Sequence, residues 1–205
     1  MPAIDLLKTQ RLMNWASTKV FLHSNAGSAA VRKIKRGEIY WCYLGENIGS
    51  EESKKRPCLI VQNDSGNTTS PNTIVAPITN APGDPRIVVP INTQMHPTTR
   101  QVIIEGYVLT ANIVTVSKAR LGNCITTLTK PEMDMIDNAL TLSLGMQRRI
   151  NALKNDLQNK TKYIIKLKEK ILNYEEILEE VRNYFQVEEN KDIRAVLVKT
   201  TSKTS

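Results

Sequence analysis

Between residues 38 and 116 the sequence is cut into short β-branched or aromatic runs. They are Glu38–Leu44, Pro57–Asn63, Thr73–Thr79, Ile87–Ile91, Val102–Ile104 and Tyr107–Val116. Turn chemistry separates them: Gly45, Ser65-Gly66-Asn67, Ser70-Pro71-Asn72, Pro82-Gly83-Asp84-Pro85 and Glu105-Gly106. Many short strands at close spacing predict a small barrel or a strongly curved sheet. A helix is predicted to follow, with Thr129 as N-cap, Pro131 in its first turn and Glu132 three residues after the cap. Its apolar face would be Met133, Ile136, Leu140 and Leu144. The fold class is therefore α+β, a small barrel or strongly curved sheet followed by a helix.

The flanks read differently. From about Ile4 to Leu22, the residues Ile4, Leu7, Met13, Trp15 and Phe21 keep a loose helical period, and Ser24-Asn25-Ala26-Gly27-Ser28 reads as turn and linker. Such a helix could meet a membrane surface or a partner; packing on the rest of the protein is the preferred reading. Beyond the predicted helix, Ile150, Leu157, Ile164, Ile171, Leu178 and Phe185 fall at heptad position a, and Leu153, Lys160, Leu167, Tyr174 and Val181 at d. This predicts a coiled-coil arm of about 54 Å. The pattern leaves an intramolecular hairpin and a parallel dimer both open. Lys170 and Glu175 have the spacing of an interhelical ion pair, and Lys160 is the one misfit in the seam. Lys199–Ser205 reads as a disordered polar tail. The expected organisation is thus an N-terminal extension over 1–34, a barrel over 35–145, an arm over 146–198 and a tail over 199–205.

Composition narrows the setting. The chain has 205 residues and a net charge of +8, divided as +4 over residues 1–34, zero over 35–145 and +4 over 146–205. No run of about 18 apolar residues predicts a membrane span, and the first residues lack the apolar region of a secretory signal. Cys42, Cys58 and Cys124 are odd in number and widely spaced, which predicts buried thiols in a reducing, cytoplasmic setting and neither a disulfide framework nor a metal site. No cofactor is expected.

Three segments then carry a resemblance. They are Lys35-Arg36-Gly37-Glu38-Ile39-Tyr40-Trp41 with Gly49-Ser50-Glu51; Arg56-Pro57-Cys58-Leu59-Ile60-Val61-Gln62-Asn63-Asp64 through Ile74-Val75-Ala76-Pro77-Ile78-Thr79; and Ser117-Lys118-Ala119-Arg120-Leu121 with Ile125-Thr126-Thr127-Leu128. In order and spacing they resemble the MazF/PemK family of toxin–antitoxin ribonucleases over roughly residues 34–145. The resemblance implies a CcdB-like barrel that pairs as a homodimer, an acidic antitoxin as partner, and metal-independent cleavage of single-stranded RNA. It puts the family's catalytic Arg and Thr on Arg56 and Thr79, and its loop serine and acid on Ser50 and Glu51. The strand that follows the family's variable loop departs from the pattern, reading Ala111-Asn112-Ile113-Val114, where Asn112 alone keeps a related amide.

The chemistry fits these residues. Without a metal, the ribose 2′-OH attacks the adjacent phosphorus and the 5′-oxygen leaves. The two histidines, His23 and His96, fall in the linker region and a loop, so a histidine acid/base pair is not expected. The planar guanidinium of Arg56 can hold two phosphate oxygens but cannot act as a base. Glu51 is the candidate base; its carboxyl, ordinarily titrating near about 4.3, would need partial burial to serve efficiently. Thr79 would orient the phosphate or the 2′-OH. Lys54 and Lys55 add a basic run, with Ser50 and Asn112 as further substrate contacts, while Lys118 and Arg120 read as solvated surface. Two alternatives share the fold: a non-catalytic barrel kept for protein contacts, and a CcdB-like gyrase poison, against which the Arg-Pro and Ile-Thr pattern argues.

Overall fold

The computed structural model describes residues 5–186 and Val198. Two compact units divide the chain, Met1–Gln147 and Arg148–Ser205. In the first, the strands β1 (Glu38–Gly45), β2 (Lys54–Ile60), β3 (Asn72–Thr79), β4 (Val88–Met95), β5 (Val102–Leu109), β6 (Val114–Ser117) and β7 (Leu121–Thr127) form one curled sheet. Its order is β4-β5-β3-β2-β1-β7, every recorded pairing is antiparallel, and β6 runs beside the first half of β3. The sheet curls without a hydrogen-bonded closure: β4 and β7 are its ends, and a side-chain hydrogen bond between Thr126 and Gln94 joins them.

Alternation along the strands builds two apolar layers. Ile39, Leu59, Ala76 and Val108 face one side and are covered by Ile136 and Ala139 of helix α4 (Lys130–Ser143). Tyr40, Cys42, Cys58, Ile60, Val75, Val116 and Leu121 face the other. Each such fully buried aliphatic side chain contributes roughly 1.5–3 kcal/mol. Cys42 and Cys58 lie in this second layer as expected, whereas Cys124, on edge strand β7, is exposed. Leu144 also departs from expectation: it is the C-cap of α4 and 57% exposed, and Ala139 fills the core in its place.

The capping box of α4 forms as predicted and does more than end a helix. The Glu132 carboxylate is buried and accepts from Thr129 N at 2.9 Å, Thr129 Oγ1 at 2.7 Å and, across the unit, Asn92 N of β4 at 3.0 Å. Burial pushes this carboxyl up; the bonds from Thr129 and Asn92 together outweigh that and hold it below the ordinary value. A folded-state value below the unfolded one stabilises the fold above about pH 4.3, and the contribution is lost as pH falls through the folded value. Glu132→Gln is therefore expected to cost about 1–3 kcal/mol at neutral pH. The gap from the parent, followed by urea unfolding across pH, should shrink on acidification; a gap independent of pH would refute the assignment.

One expected strand is two. The run Tyr107–Val116 breaks at Thr110, whose N and Oγ1 both donate to Ile87 O, at 3.0 and 2.8 Å, and whose carbonyl accepts from Ser143 Oγ at 3.1 Å. Those bonds turn the chain out of the ladder before β6 begins. Conversely, Glu105-Gly106, expected as a turn, lies inside β5. Gly106 has φ +122°, and a Cβ there would stand 2.5 Å from the Thr79 carbonyl oxygen. The glycine serves a close backbone approach within the sheet.

The N-terminal segment belongs to this same unit. Helix α1 (Leu6–Ser24) starts at Asp5, whose carboxylate accepts from Lys8 N at 3.0 Å. The expected linker is partly helix: Asn25 closes α1, its amide donating to Phe21 O at 2.9 Å, and α2 (Ala26–Ala30) follows at once. Two cations then fasten the segment. Arg32 donates to Gly122 O at 2.8 Å and to Leu121 O. Lys118, expected on the solvated surface, is 1% exposed, and its ammonium donates to Ala30 O at 3.2 Å and Asn67 O at 2.6 Å. A polar group buried this deeply costs stability unless it is hydrogen-bonded, and these two carbonyls supply the bonds. Helix α1 itself has no buried residue; Trp15 is its contact, with the Arg120 guanidinium 5.2 Å from the ring centre.

The second unit holds helix α5 (Gln147–Phe185), 39 residues long. Within these described residues no turn folds it into a hairpin, and its heptad residues Leu157, Ile164 and Ile171 are 66%, 52% and 54% exposed. Lys160 pairs with Asp156 at 2.8 Å on the same helix. The expected tail over 199–205 lies outside the described residues. No described helix is long and apolar enough to cross a membrane.

Candidate active site

The β1–β2 loop is shaped by its sequence. Gly45, Gly49 and Lys54 take positive φ values of 103°, 62° and 66°. Asn47 spans the loop, its amide donating to Glu52 O at 2.7 Å. This loop forms one wall of an open cavity of about 600 Å³. The turn Ala111–Ile113 and strand β6 form the opposite wall, and Leu44 and Arg120 complete it.

Ser50, Glu51 and Asn112, far apart in sequence, all line this cavity. Ser50 and Asn112 are exposed. So is Glu51, contrary to the partial burial expected of a base; its carboxylate accepts from Ile48 N at 3.2 Å. Glu52 lines the cavity too, and forms an ion pair with Arg56. The pair is partly shielded, with side-chain exposures of 29% for Arg56 and 20% for Glu52. Arg56 Nε also donates to Ser53 O at 3.1 Å.

Arg56 and Thr79 lie on the neighbouring strands β2 and β3. Strands β2 and β3 pair Ile60 with Val75, Leu59 with Ala76 and Cys58 with Pro77. That ladder ends two residues short of Arg56 and Thr79; by alternation each shares the sheet face of Cys58 and Val75. On its other edge, the end of β3 pairs with β5, Thr79 opposite Tyr107. The Thr79 hydroxyl oxygen accepts from Ala81 N at 3.2 Å, which leaves its proton to donate elsewhere.

Lys54 and Lys55 are not in the cavity lining. They line a smaller groove beneath α1 with Arg11, Trp15 and Tyr43, and the Lys55 ammonium stands 5.5 and 5.1 Å from the ring centres of Trp41 and Tyr43. Alternation accounts for Lys55, which is adjacent to Arg56 on the strand and faces the opposite side. Lys54, which alternation alone would put on the side of Arg56, sits at the left-handed turn with φ 66° where the β1–β2 ladder is irregular. His96 accepts from Thr98 N at 3.3 Å and Thr99 N at 3.2 Å, bracing the loop after β4.

Two residues of the site carry little sequence signal. Glu52 is one member of an ordinary charged run, and only the loop's path turns it onto Arg56. Arg120 sits in a one-turn helix, where its guanidinium donates to Tyr43 O at 3.1 Å and Leu44 O at 2.8 Å, tying the end of β1 to the cavity wall.

Known proteins match this part of the chain. An Endoribonuclease MazF from Staphylococcus epidermidis is 36% identical over 113 residues, covering 55% of this chain and 92% of that protein. Among solved structures, an endoribonuclease in complex with its cognate antitoxin from Mycobacterial species is 26% identical over 55% of this chain and 96% of its own, with a TM-score of 0.45. A second endoribonuclease from Mycobacterial species is 26% identical over 57% of this chain and 95% of its own, with a TM-score of 0.44. The family model for the PemK-like, MazF-like toxin of type II toxin-antitoxin systems matches residues 35–144. The chain therefore belongs to the PemK/MazF-like toxin family of type II toxin–antitoxin systems.

Proposed function

We propose that the protein is an endoribonuclease toxin that cuts single-stranded RNA without a metal ion, leaving a cyclic phosphate and a 5′-hydroxyl. The observation that carries the reading is Arg56: a partly shielded guanidinium held by a carboxylate that itself lines the cavity. An incoming phosphate competes with Glu52 for that guanidinium and satisfies the same planar fork. Thr79 donates its hydroxyl proton to a non-bridging oxygen or to the 2′-oxygen. Glu51, on the cavity wall, takes the 2′-proton as the bond from the 2′-oxygen to phosphorus forms and the bond to the 5′-oxygen breaks, the departing 5′-oxygen taking its proton from water. The bound RNA supplies the cover that the free loop lacks.

Substrate contacts divide between the two faces of β2. Ser50 and Asn112 meet the nucleotides at the cut, and Lys54 and Lys55 meet phosphates farther along the strand. The regional charge supports such local recognition, since residues 35–145 carry no net charge. Membership of the family supports an acidic antitoxin and a second copy of the barrel as partners, inside the cell. The purified chain incubated with labelled single-stranded RNA in excess chelator is expected to give discrete cuts ending in cyclic phosphate. Products ending in 3′-hydroxyl, or intact RNA across diverse sequences, would overturn the proposal.

A further inference from the structure

We propose that α5 is a self-association surface that pairs with α5 of a second copy in antiparallel orientation. The helix presents an apolar seam over its whole length, and Leu153, Leu157, Ile164, Ile171 and Leu178 are each about half exposed or more. Hydrophobicity alone does not choose an orientation; the charges do. Residues 147–170 carry eight basic and two acidic side chains, whereas 171–185 carry four acidic and one basic. In a single helix this polarity opposes the macrodipole, which favours acids at the N-terminal end and bases at the C-terminal end. An antiparallel neighbour sets the basic 147–160 stretch beside the acidic 171–184 stretch, while 161–170 meets its own copy with no lysine opposite another at the flanking positions.

Layer by layer the register agrees. In antiparallel pairs, a positions pack against d positions of the other helix. The register with the longest overlap stacks Ile150 on Val181, Leu157 on Tyr174, Ile164 on Leu167, Ile171 on Lys160 and Leu178 on Leu153, each layer occurring twice. It also sets Lys154 beside Glu175 of the other copy. Sliding by one heptad in either direction loses layers and brings lysines together at the flanking positions, Lys154 against Lys168 or Lys168 against itself.

The parallel alternative gains the Lys170–Glu175 pair, which the antiparallel one replaces with Lys154–Glu175, and is worse in two places. It stacks Lys160 on Lys160 in the seam and sets Arg149 beside Lys154. In the antiparallel pair Lys160 meets Ile171 and keeps its Asp156 partner on its own helix, 2.8 Å away. Lys160 therefore acts as an orientation device: it is tolerated when the helices run oppositely and repelled when they run together.

The full-length chain tests this in a Cys124→Ser background, which removes the exposed thiol and keeps the buried Cys42 and Cys58. Chains carrying Lys154→Cys and Glu175→Cys, with different tags, are mixed and treated with a short bis-maleimide. The expected product is the mixed dimer linked 154 to 175. Self-linked 154 dimers are not expected, because antiparallel pairing separates those sites by about 31 Å along the axis. Ile164→Asp, at the central layer, should abolish the mixed product while leaving the barrel's fold intact. Dominant 154–154 linkage would establish the parallel pair and overturn the proposal. So would the absence of any linkage with the helix still formed, or a mixed product that survives Ile164→Asp.

Discussion

Arg56→Ala should slow RNA cleavage by at least two to three orders of magnitude, the scale of losing one oriented charge-stabilising group, about 3–4 kcal/mol of barrier. The guanidinium is positioned before substrate arrives: Ser53 O takes its Nε proton at 3.1 Å and Glu52 holds the fork. Once the phosphate has displaced Glu52, the bond to Ser53 O keeps the guanidinium in place as the phosphorane forms, and the charge acts in a partly shielded place where it is worth more than in water. Arg56→Lys keeps the charge and loses the two-point geometry, so it should restore only a small part of the rate. Truncation also strands Glu52, at 20% exposure, without its cation. The double variant Arg56→Ala/Glu52→Gln separates the two effects. Stability should return towards the parent, measured by urea unfolding, while single-turnover cleavage stays as slow as in Arg56→Ala. Cleavage by Arg56→Ala at the parent rate would remove Arg56 from the chemistry.

Glu52 also marks how far sequence reasoning reached. Glu51 and Glu52 are adjacent acids in the same loop, and nothing in their order distinguishes the one that faces Arg56 from the one that faces solvent. That choice is made by Asn47, Gly49 and the left-handed turn at Lys54. The strands were legible because alternation and turn residues act locally. Gly106 and Thr110 were not, because their roles depend on partners distant in sequence, the Thr79 and Ile87 carbonyls. Lys118 fails for the same reason: a lysine after a strand is ordinarily solvated, and only the arrival of Ala30 and Asn67 buries it. Arg56 and Thr79 lie 23 residues apart, on the neighbouring strands β2 and β3, whose pairing the hydrophobic pattern fixes. Local rules gave the elements; the encounter of elements made the cavity.

The dependence of the site on that encounter can be tested at Gly106. Gly106→Ala should destabilise the barrel by about 3–4 kcal/mol, combining a backbone conformation costly for any residue with a Cβ, roughly 1–3 kcal/mol, with overpacking of similar size. The added carbon would stand 2.5 Å from Thr79 O, a backbone atom, so no side-chain rotation relieves the contact. Either β5 shifts from β3 or Thr79 moves, and Thr79 pairs directly with Tyr107 in that ladder. A loss of stability together with slower cleavage at temperatures where the variant is still folded is the expected pair of results. Gly49→Ala provides the comparison: its φ is +62°, and a Cβ there has nothing within 4 Å. It should show only the backbone cost, about 1 kcal/mol. Equal unfolding midpoints for the two variants would mean that the β3–β5 contact at Thr79 is slack, and that the threonine is not held in place by the strand beside it.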